Sequence, residues 1–389
     1  MSQLAAVSTA LSTDVLSPAD APAPADADQA ALRSIRPPTR PDGAPVRVVD
    51  LFAGIGGLSL GLSQAAAAVG RPVDVALAVD RDPAALGVFS SVFPSADVTT
   101  EDVTSLVDGA LGARATTAER ALRRRVGDVD VLVGGPPCQG HSALNNATRH
   151  RDDRNELYLR MARAAEVLAP DTVVVENVPG ARADRSGVVD RTVEHLRGLG
   201  YGVSVEVVDL SDLGVAQRRR RLVLLATRRA SVSLAEVVQR HRRPSRGVAW
   251  AIDDLADVET DRLVDQRARS AATTRERIAY LFDHDVYDLP NELRPACHRG
   301  DHSYVSIYGR MRPDQPAQTI TRGFYSMCMG RYVHPTRPRT ITAHEAARLQ
   351  HIPDHVDFSS IRKRGQLALA IGNAVPPRLT EAIGAEVLS

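Results

Sequence analysis

Short apolar runs alternate with longer amphipathic stretches between residues 46 and 226. The runs are rich in Val and Leu and have the length of buried strands, whereas the intervening stretches carry apolar residues at helical spacing. The predicted strands are Val46–Phe52, Val73–Val79, Val129–Val133, Thr172–Glu176, Val203–Val208 and Leu222–Ala226, and the predicted helices are Leu58–Val69, Asp82–Val92, Asn155–Leu168 and Val188–Leu199. This alternation predicts an α/β fold with a doubly wound, mostly parallel sheet, which binds ligands beyond the carboxyl ends of its strands.

The regular alternation ends after Ala226. The following residues carry basic clusters and one candidate amphipathic helix near Arg262–Phe282. Further on, Thr342 and Glu345 have the spacing of a capping box at the start of a helix within Thr340–Leu349, and a last helix runs through Leu388. We predict a disordered Ala/Pro-rich tail at 1–45, a main α/β domain at 46–228 completed by 371–389, and a smaller, irregular domain with a return segment at 229–370.

Charge is distributed unevenly along the 389 residues, although the net charge is only +1. Residues 1–32 contain four aspartates and no Lys or Arg, whereas residues 217–246 contain ten arginines and one acid, Glu236. Such a patch can bind phosphate backbones, but a solvated arginine-rich surface explains it nearly as well.

Three cysteines, Cys138, Cys297 and Cys328, show no CxxC spacing. The sequence therefore predicts neither a disulfide framework nor a structural zinc site, and the histidines lack metal-ligand spacing. No apolar run of about 18 residues or basic signal-peptide flank is present. We expect a cytoplasmic protein with no metal and no membrane anchor.

A glycine-rich turn follows the first predicted strand and opens a helix. It contains the candidate cofactor contacts Phe52, Gly54, Gly56, Gly57 and Leu58. Glycines let a ligand approach the backbone, but Ser59 replaces the third glycine of the dinucleotide motif, which disfavours a nicotinamide cofactor.

Two acids follow the next strands and suit a nucleoside ligand. Asp80 can accept hydrogen bonds from ribose hydroxyls, and Asp102 can contact adenine, with Arg81 and Val103 beside them. The alternative is a structural turn with surface acids.

Cys138 follows a buried strand and the segment Gly134-Gly135-Pro136-Pro137. The prolines restrict this turn, so the thiol is held at the carboxyl edge of the sheet. Taken alone, an incidental buried cysteine is the more common explanation.

Glu176 ends the next predicted strand and should lie on the same edge. Gln217, Arg219 and Arg221 precede or enter a later strand, whose period of two places them on one face toward Glu176. Taken alone, these groups also suit ion pairing or phosphate binding.

In combination and order, these segments resemble the DNA cytosine-5 methyltransferase family from about Val46 to the carboxyl terminus. The matching segments are Asp50–Leu58, Gly135–Gln139, Glu176–Val178, Gln217-x-Arg219-x-Arg221, Arg312-Pro313, Gln318–Thr321, Glu345-x-x-Arg348-Leu349-Gln350 and Gly372–Val375. The region between Arg221 and Arg312 corresponds to the family's target-recognition segment.

The resemblance implies S-adenosylmethionine as the methyl donor and a thiolate, Cys138, that adds to C6 of cytosine. It assigns catalytic roles to Glu176, Arg221, Arg219 and Gln217. The cofactor contacts that it implies are Phe52, Gly54, Gly56, Gly57, Leu58, Asp80, Arg81, Asp102, Val103, Pro136, Asn373, Ala374 and Val375.

The resemblance also implies a duplex DNA substrate whose target cytosine is flipped out of the helix. We expect DNA contacts from Arg240–Arg246 and His298–Arg310, with residues 139–142 in a loop that closes over the base. A monomer associated with the nucleoid through DNA is expected, with a cognate restriction endonuclease as a possible partner. The target sequence is not predicted.

Three alternatives stay open. One is cytosine-5 methylation of transfer RNA, which a branch of the same family carries out. Another is a non-catalytic DNA-binding protein on the same fold, which has no need of Cys138, Glu176 and Arg221 together. The third, a Rossmann oxidoreductase, is opposed by Ser59.

Overall fold

A computed structural model describes residues 24–137, 157–184, 186–229, 232–299 and 306–389. The strands of these residues are β1 (Val46–Leu51), β2 (Val73–Val79), β3 (Val98–Thr99), β4 (Val131–Gly134), β5 (Thr172–Asn177), β6 (Gly202–Asp209), β7 (Gln217–Arg218), β8 (Arg220–Thr227) and β9 (Ala317–Gln318). Seven of them form one sheet in the order β3-β2-β1-β4-β5-β8-β6, and β7 pairs with β9. All six predicted strands are present.

Strand direction changes at one side of the seven-stranded sheet. Strands β1 to β5 pair in parallel, whereas β8 is antiparallel to both β5 and β6. The connection from β6 to β8 contains no crossover helix, and a short connection returns the chain antiparallel to the strand it leaves. The sheet is thus mostly parallel, as predicted.

Helices cover both faces of the sheet. The helices of the described residues are α1 (Pro24–Leu32), α2 (Gly57–Ala68), α3 (Pro83–Val92), α4 (Val103–Leu106), α5 (Thr117–Val126), α6 (Leu157–Leu168), α7 (Val188–Gly198), α8 (Leu234–Arg240), α9 (Val248–Ile252), α10 (Ala272–Asp283), α11 (Ala343–Leu349), α12 (Arg364–Asn373) and α13 (Arg378–Val387). The candidate helix near Arg262–Phe282 begins only at Ala272. The capping box is confirmed, because Thr342 and Glu345 exchange both of its hydrogen bonds.

Successive residues of a strand pack into two different hydrophobic cores, one on each face of the sheet. Val48 packs with α2, α8 and α13 on one face, whereas Val49 packs with α6 and α7 on the other. A third core joins α2 and α3 to α9, α11 and α12, and it contains Leu60 and Ile252. This two-sided covering confirms the doubly wound α/β class.

Part of the predicted disordered tail is ordered, so the prediction is wrong over residues 24–32. These residues form α1, and the side chain of Leu32 is only 1% exposed in the third core. The partners of α1 lie more than 200 residues away in sequence, so no local pattern indicates them.

No helix in the described ranges is long and apolar enough to cross a membrane.

Candidate active site

The carboxyl ends of four neighbouring strands meet at one edge of the sheet. Leu51, Val79, Gly134 and Val175 are in register across β1, β2, β4 and β5. The residues that follow these four positions therefore lie along one edge: Phe52, Asp80, Gly135 and Glu176. This register brings Glu176 to the same edge as the segment that leads to Cys138. Cys138 itself and residues 139–142 lie outside the described residues.

The glycine-rich turn after β1 adopts unusual backbone angles. Phe52, Gly54 and Gly56 have φ of 61°, 54° and 87°, all in the left-handed region. Such a conformation costs a residue with a side chain about 1–2 kcal/mol, so Phe52 is held there by its surroundings. A Cβ atom at Gly54 would meet no heavy atom within 4 Å, whereas one at Gly56 would lie 2.8 Å from Phe89. The turn is therefore packed on one side and open on the other.

The carboxyl-terminal segment reaches this turn from far along the sequence. A Cβ atom at Gly57 would lie 2.1 Å from the carbonyl oxygen of Val375, so only glycine allows this approach. The side chain of Asn373 is exposed, whereas Ala374 is buried beside it. Predicted cofactor contacts on both segments are thus brought together, including buried Leu58 at the start of α2.

Asp80 connects the glycine turn to the start of α3. Its Oδ2 accepts a hydrogen bond from the Gly54 amide at 2.8 Å, and its Oδ1 accepts one from the Asp82 amide at 2.9 Å. Burial raises the pKa of Asp80, while these two hydrogen bonds oppose that effect. The carboxylate remains half-buried at the edge, where its unused lone pairs can accept ligand hydroxyls.

Asp102 caps α4 by accepting hydrogen bonds from the amide and hydroxyl of Thr104, at 2.9 and 2.8 Å. Arg81 forms an ion pair with Asp102, and Val103 is buried behind them. The predicted adenine-side residues are therefore adjacent to one another at the ends of β2 and β3.

Glu176 and Arg221 form a largely buried ion pair. Nε of Arg221 lies 2.6 Å from Oε1 of Glu176, and the two side chains are 12% and 10% exposed. The other carboxylate oxygen faces the turn after β4, since a Cβ atom at Gly135 would lie 3.2 Å from it. Asn177 donates a hydrogen bond to the Pro136 carbonyl at 3.2 Å and so fixes the same turn. One oxygen of Glu176 is thus held by Arg221, and the other points toward the segment that leads to Cys138.

Gln217 and Arg219 bond to the return segment, so the prediction of one shared face toward Glu176 is wrong for Gln217. Gln217 donates to the Leu349 carbonyl and accepts from the Ile320 amide at 2.7 Å. Arg219 donates to the Ala374 carbonyl at 2.9 Å. The reason is that β7 leaves the main sheet and pairs with β9, so residues 217–221 are not one continuous strand.

The arginines expected to contact DNA form ion pairs within the protein. Arg240 pairs with Glu236 and Glu386, Arg242 with Asp212, and Arg243 with Asp28. These contacts do not support the predicted phosphate contacts of residues 240–246, because the positive charges already have internal counter-charges. In the second predicted DNA segment, residues 300–305 lie outside the described residues, whereas His298 bonds to the Tyr308 hydroxyl at 2.6 Å.

Two buried polar groups near the edge were not predicted. Asp50 is fully buried, and its Oδ2 accepts a hydrogen bond from Ser59 at 2.6 Å. Among the described residues its Oδ1 has no hydrogen-bond partner, and burial raises the pKa of Asp50 to about 7. The hydroxyl of Tyr158 is also buried without such a partner in these ranges, and burial and the charge of Glu176 raise its pKa. An acid within a buried apolar strand was the available signal for Asp50.

Metal binding has no support in the described residues, which contain no group of three or more His, Cys, Asp or Glu side chains arranged to hold an ion.

Comparisons with known proteins identify the family of this chain. A family model described as C-5 cytosine-specific DNA methylase matches residues 46–389. The chain is 42% identical over 346 residues to type II methyltransferase M1.BsuMI of Bacillus subtilis, covering 89% of this chain and 81% of that protein. It is 30% identical to type II methyltransferase M1.HphI of Haemophilus parahaemolyticus, covering 87% and 86% of the two chains.

Solved structures show the same architecture. A prophage-encoded E. coli protein, whose structure is described as that of a DNA modification methyltransferase, matches with a TM-score of 0.61 and 25% identity, covering 88% of this chain and 98% of that one. The S. pombe Dnmt2 methyltransferase matches with a TM-score of 0.60 and 16% identity over 88% and 98% of the two chains, which is a likeness of fold.

Proposed function

The chain belongs to the C-5 cytosine-specific DNA methylase family and is a DNA cytosine-5 methyltransferase, and from this membership we propose a mechanism for its site. A flipped cytosine of duplex DNA forms a covalent adduct with Cys138 and is then methylated at C5. The observation that carries this proposal is the Glu176–Arg221 ion pair, which lies beside the turn that leads to Cys138 and on the same sheet edge as the glycine-rich turn.

The residues at the edge fit S-adenosylmethionine. The open side of Gly54 admits a ligand against the backbone, and the half-buried carboxylate of Asp80 suits the ribose hydroxyls. In this proposal Asp102, Arg81 and Val103 contact the adenine. Further contacts come from Phe52, Gly56, Gly57, Leu58, Pro136, Asn373, Ala374 and Val375. S-adenosylmethionine supplies the methyl group that C5 receives.

Nucleophilic addition must come first because C5 of cytosine is a poor nucleophile. The Cys138 thiolate forms a bond to C6, and the electrons of the C5–C6 double bond move into the ring toward N3 and O2. Glu176 shares a proton with N3 and accepts a hydrogen bond from the exocyclic amino group, while Arg221 donates to O2 and keeps Glu176 in place, so the negative charge that develops on the ring is neutralised. After C5 is methylated, solvent takes the C5 proton, the C5–C6 double bond re-forms, and the Cys138–C6 bond breaks so that its electron pair returns to the sulfur as thiolate.

Gln217 and Arg219 act as positioning residues in this proposal. Their hydrogen bonds fix the return segment and Ala374 against the catalytic domain. That domain comprises residues 46–228 completed by 371–389, and residues 229–370 hold the target-recognition domain. Because M1.BsuMI and M1.HphI are both named type II methyltransferases, we also propose that this enzyme acts, as a monomer in the cytoplasm, alongside a cognate restriction endonuclease.

Expression in a host that lacks cytosine methylation, followed by bisulfite sequencing, tests the activity and identifies the site. Purified enzyme should methylate duplex DNA and leave transfer RNA unmodified. Methylation of transfer RNA in place of DNA would overturn the proposed substrate.

Substitutions test the residues. Cys138→Ser should abolish methylation and spare cofactor binding. Glu176→Gln should lower kcat by about 10²–10⁴, the range of a lost proton-transfer or charge-stabilising group. Glu194→Gln is the matched control, because Glu194 is exposed on α7 away from the edge. Retained turnover of Cys138→Ser would refute the covalent mechanism.

A further inference from the structure

The segment that contains α1 lies before the region matched by the family model, yet it packs into the molecule. Leu32 is buried in the third core, and its carbonyl accepts a hydrogen bond from the Asp354 amide at 3.1 Å. Gln29 donates to the Trp250 carbonyl at 2.7 Å, and Arg33 pairs with Asp253 at 2.5 Å. One side of this segment is therefore attached to α9 and to the residues that follow α11.

Asp28 attaches the other side of the segment to arginines of both domains, Arg243 and Arg246 of residues 229–370 and Arg378 of the catalytic domain. Both of its carboxylate oxygens accept hydrogen bonds from Arg243, at 2.9 and 2.8 Å. Arg378, at the start of α13, lies 2.5 Å from the same carboxylate, and Arg246 lies 3.9 Å from it. Asp28 is 13% exposed and is the acid that these three guanidinium groups share.

Helices α13 and α9, which α1 connects, differ in their other contacts. Helix α13 is held by α2 without help from α1, because Thr380 donates to the Leu58 carbonyl at 2.7 Å and Gly384 lies against Ala65. Helix α9 bonds within the region 229–370, since the amide of Val248 donates to the Gln315 carbonyl and Arg348 donates to the Ala251 carbonyl. Because α9 keeps its place in the third core with α2 and α3, loss of α1 should loosen the recognition domain without releasing it and leave the cofactor side in place.

We propose that residues 28–34 form a clasp that fixes the target-recognition domain against the catalytic domain and so pre-organises the two domains for binding duplex DNA. This inference rests on the proposed function. Asp28 is a positioning residue in it: the carboxylate joins α1 to Arg243 and Arg378, and Gln29, Leu32 and Arg33 extend the connection to α9. When the two domains are already in their binding geometry, no free energy is lost in ordering them as DNA binds.

The test compares Asp28→Asn with the matched control Asp42→Asn, since Asp42 is exposed and forms no ion pair among the described residues. Asp28→Asn should raise the KM for duplex DNA about tenfold, as expected when a binding geometry loosens, and leave the KM for S-adenosylmethionine within about twofold. Hydrogen exchange should become faster in α9 and stay unchanged in α13. Asp42→Asn should match the wild type in all three measurements.

Truncation gives a second, independent comparison. Removing residues 2–23 should leave both KM values unchanged, whereas removing residues 2–36 should raise the KM for DNA at least as much as Asp28→Asn. Wild-type KM for DNA in Asp28→Asn, or an equal rise of both KM values, would overturn the clasp. If the wild type methylated no DNA, the proposed function would fail, and hydrogen exchange in α9 would still decide whether the clasp exists.

Discussion

Replacing Gly57 by alanine should disturb the cofactor side of the site through the backbone alone. Gly57 is the first residue of α2, and its added Cβ would lie 2.1 Å from the carbonyl oxygen of Val375 and 3.2 Å from the carbonyl carbon. A carbonyl cannot rotate away as a flexible side chain can. The segment around Val375 is also fixed on both sides, because Ala374 accepts a hydrogen bond from Arg219 and Pro377 lies against Gly61.

The size of the effect depends on how far the Val375 carbonyl oxygen must move from the added Cβ atom. The Val375 carbonyl oxygen, at 2.1 Å, has to move by roughly 1.4 Å to reach ordinary contact with the new methyl group at about 3.5 Å. Inserting a methyl group into a well-packed interior costs about 1–3 kcal/mol, and the helical preference of alanine over glycine returns at most about 1 kcal/mol. We expect a net loss of about 1–2 kcal/mol of unfolding free energy. The same displacement should raise the KM for S-adenosylmethionine about tenfold.

Thermal unfolding and steady-state methylation kinetics measure the two effects. Gly198→Ala is the matched control, because Gly198 ends α7 and an added Cβ there would meet no atom within 4 Å. That variant should unfold at or slightly above the wild-type temperature and keep both KM values. If Gly57→Ala matched the wild type in Tm and in the KM for S-adenosylmethionine, the close approach of α2 to Val375 would be refuted.

Two further predictions concern buried charges. Burial raises the pKa of Asp50 to about 7. Between about pH 4 and pH 7 the native protein therefore keeps a proton on Asp50 that the unfolded chain has lost. The free energy of unfolding should fall as the pH rises through this range and then level off. Urea unfolding across this range should show a smaller fall for Asp50→Asn, and parallel curves would contradict the assignment. Arg163→Met should lower the free energy of unfolding by about 3–5 kcal/mol, since it leaves Glu119, whose side chain is 0% exposed, without the guanidinium that now lies 2.6 Å away. Chemical denaturation measures this loss. A change below about 1 kcal/mol would show that other groups stabilise the buried charge of Glu119.

Much of the site could be predicted because it follows the ends of strands. Each parallel strand delivers its next residue to the same edge, so identifying β2 and β5 was enough to assign Asp80 and Glu176 to one edge of the sheet. Gln217 and Arg219 show the limit of this reasoning. A period of two predicts a shared face only while the strand continues, and β7 pairs with β9 instead of the main sheet.

The basic stretch 240–246 shows a second limit. The composition gives the number of charges but not which of them form ion pairs. Arg242 pairs with Asp212 and Arg243 with Asp28 only in the folded chain. The same holds for Asp50, whose pKa depends on being fully enclosed.

Local sequence patterns predicted the fold class, the order of the elements and the segments that form the edge, because apolar periodicity and turn residues act over a few neighbouring positions. The direction of β8, the partners of the arginines and the position of α1 are evident only in the folded structure. Each of these depends on contacts between residues far apart in the chain, such as Asp28 with Arg378, and no local pattern encodes such a contact.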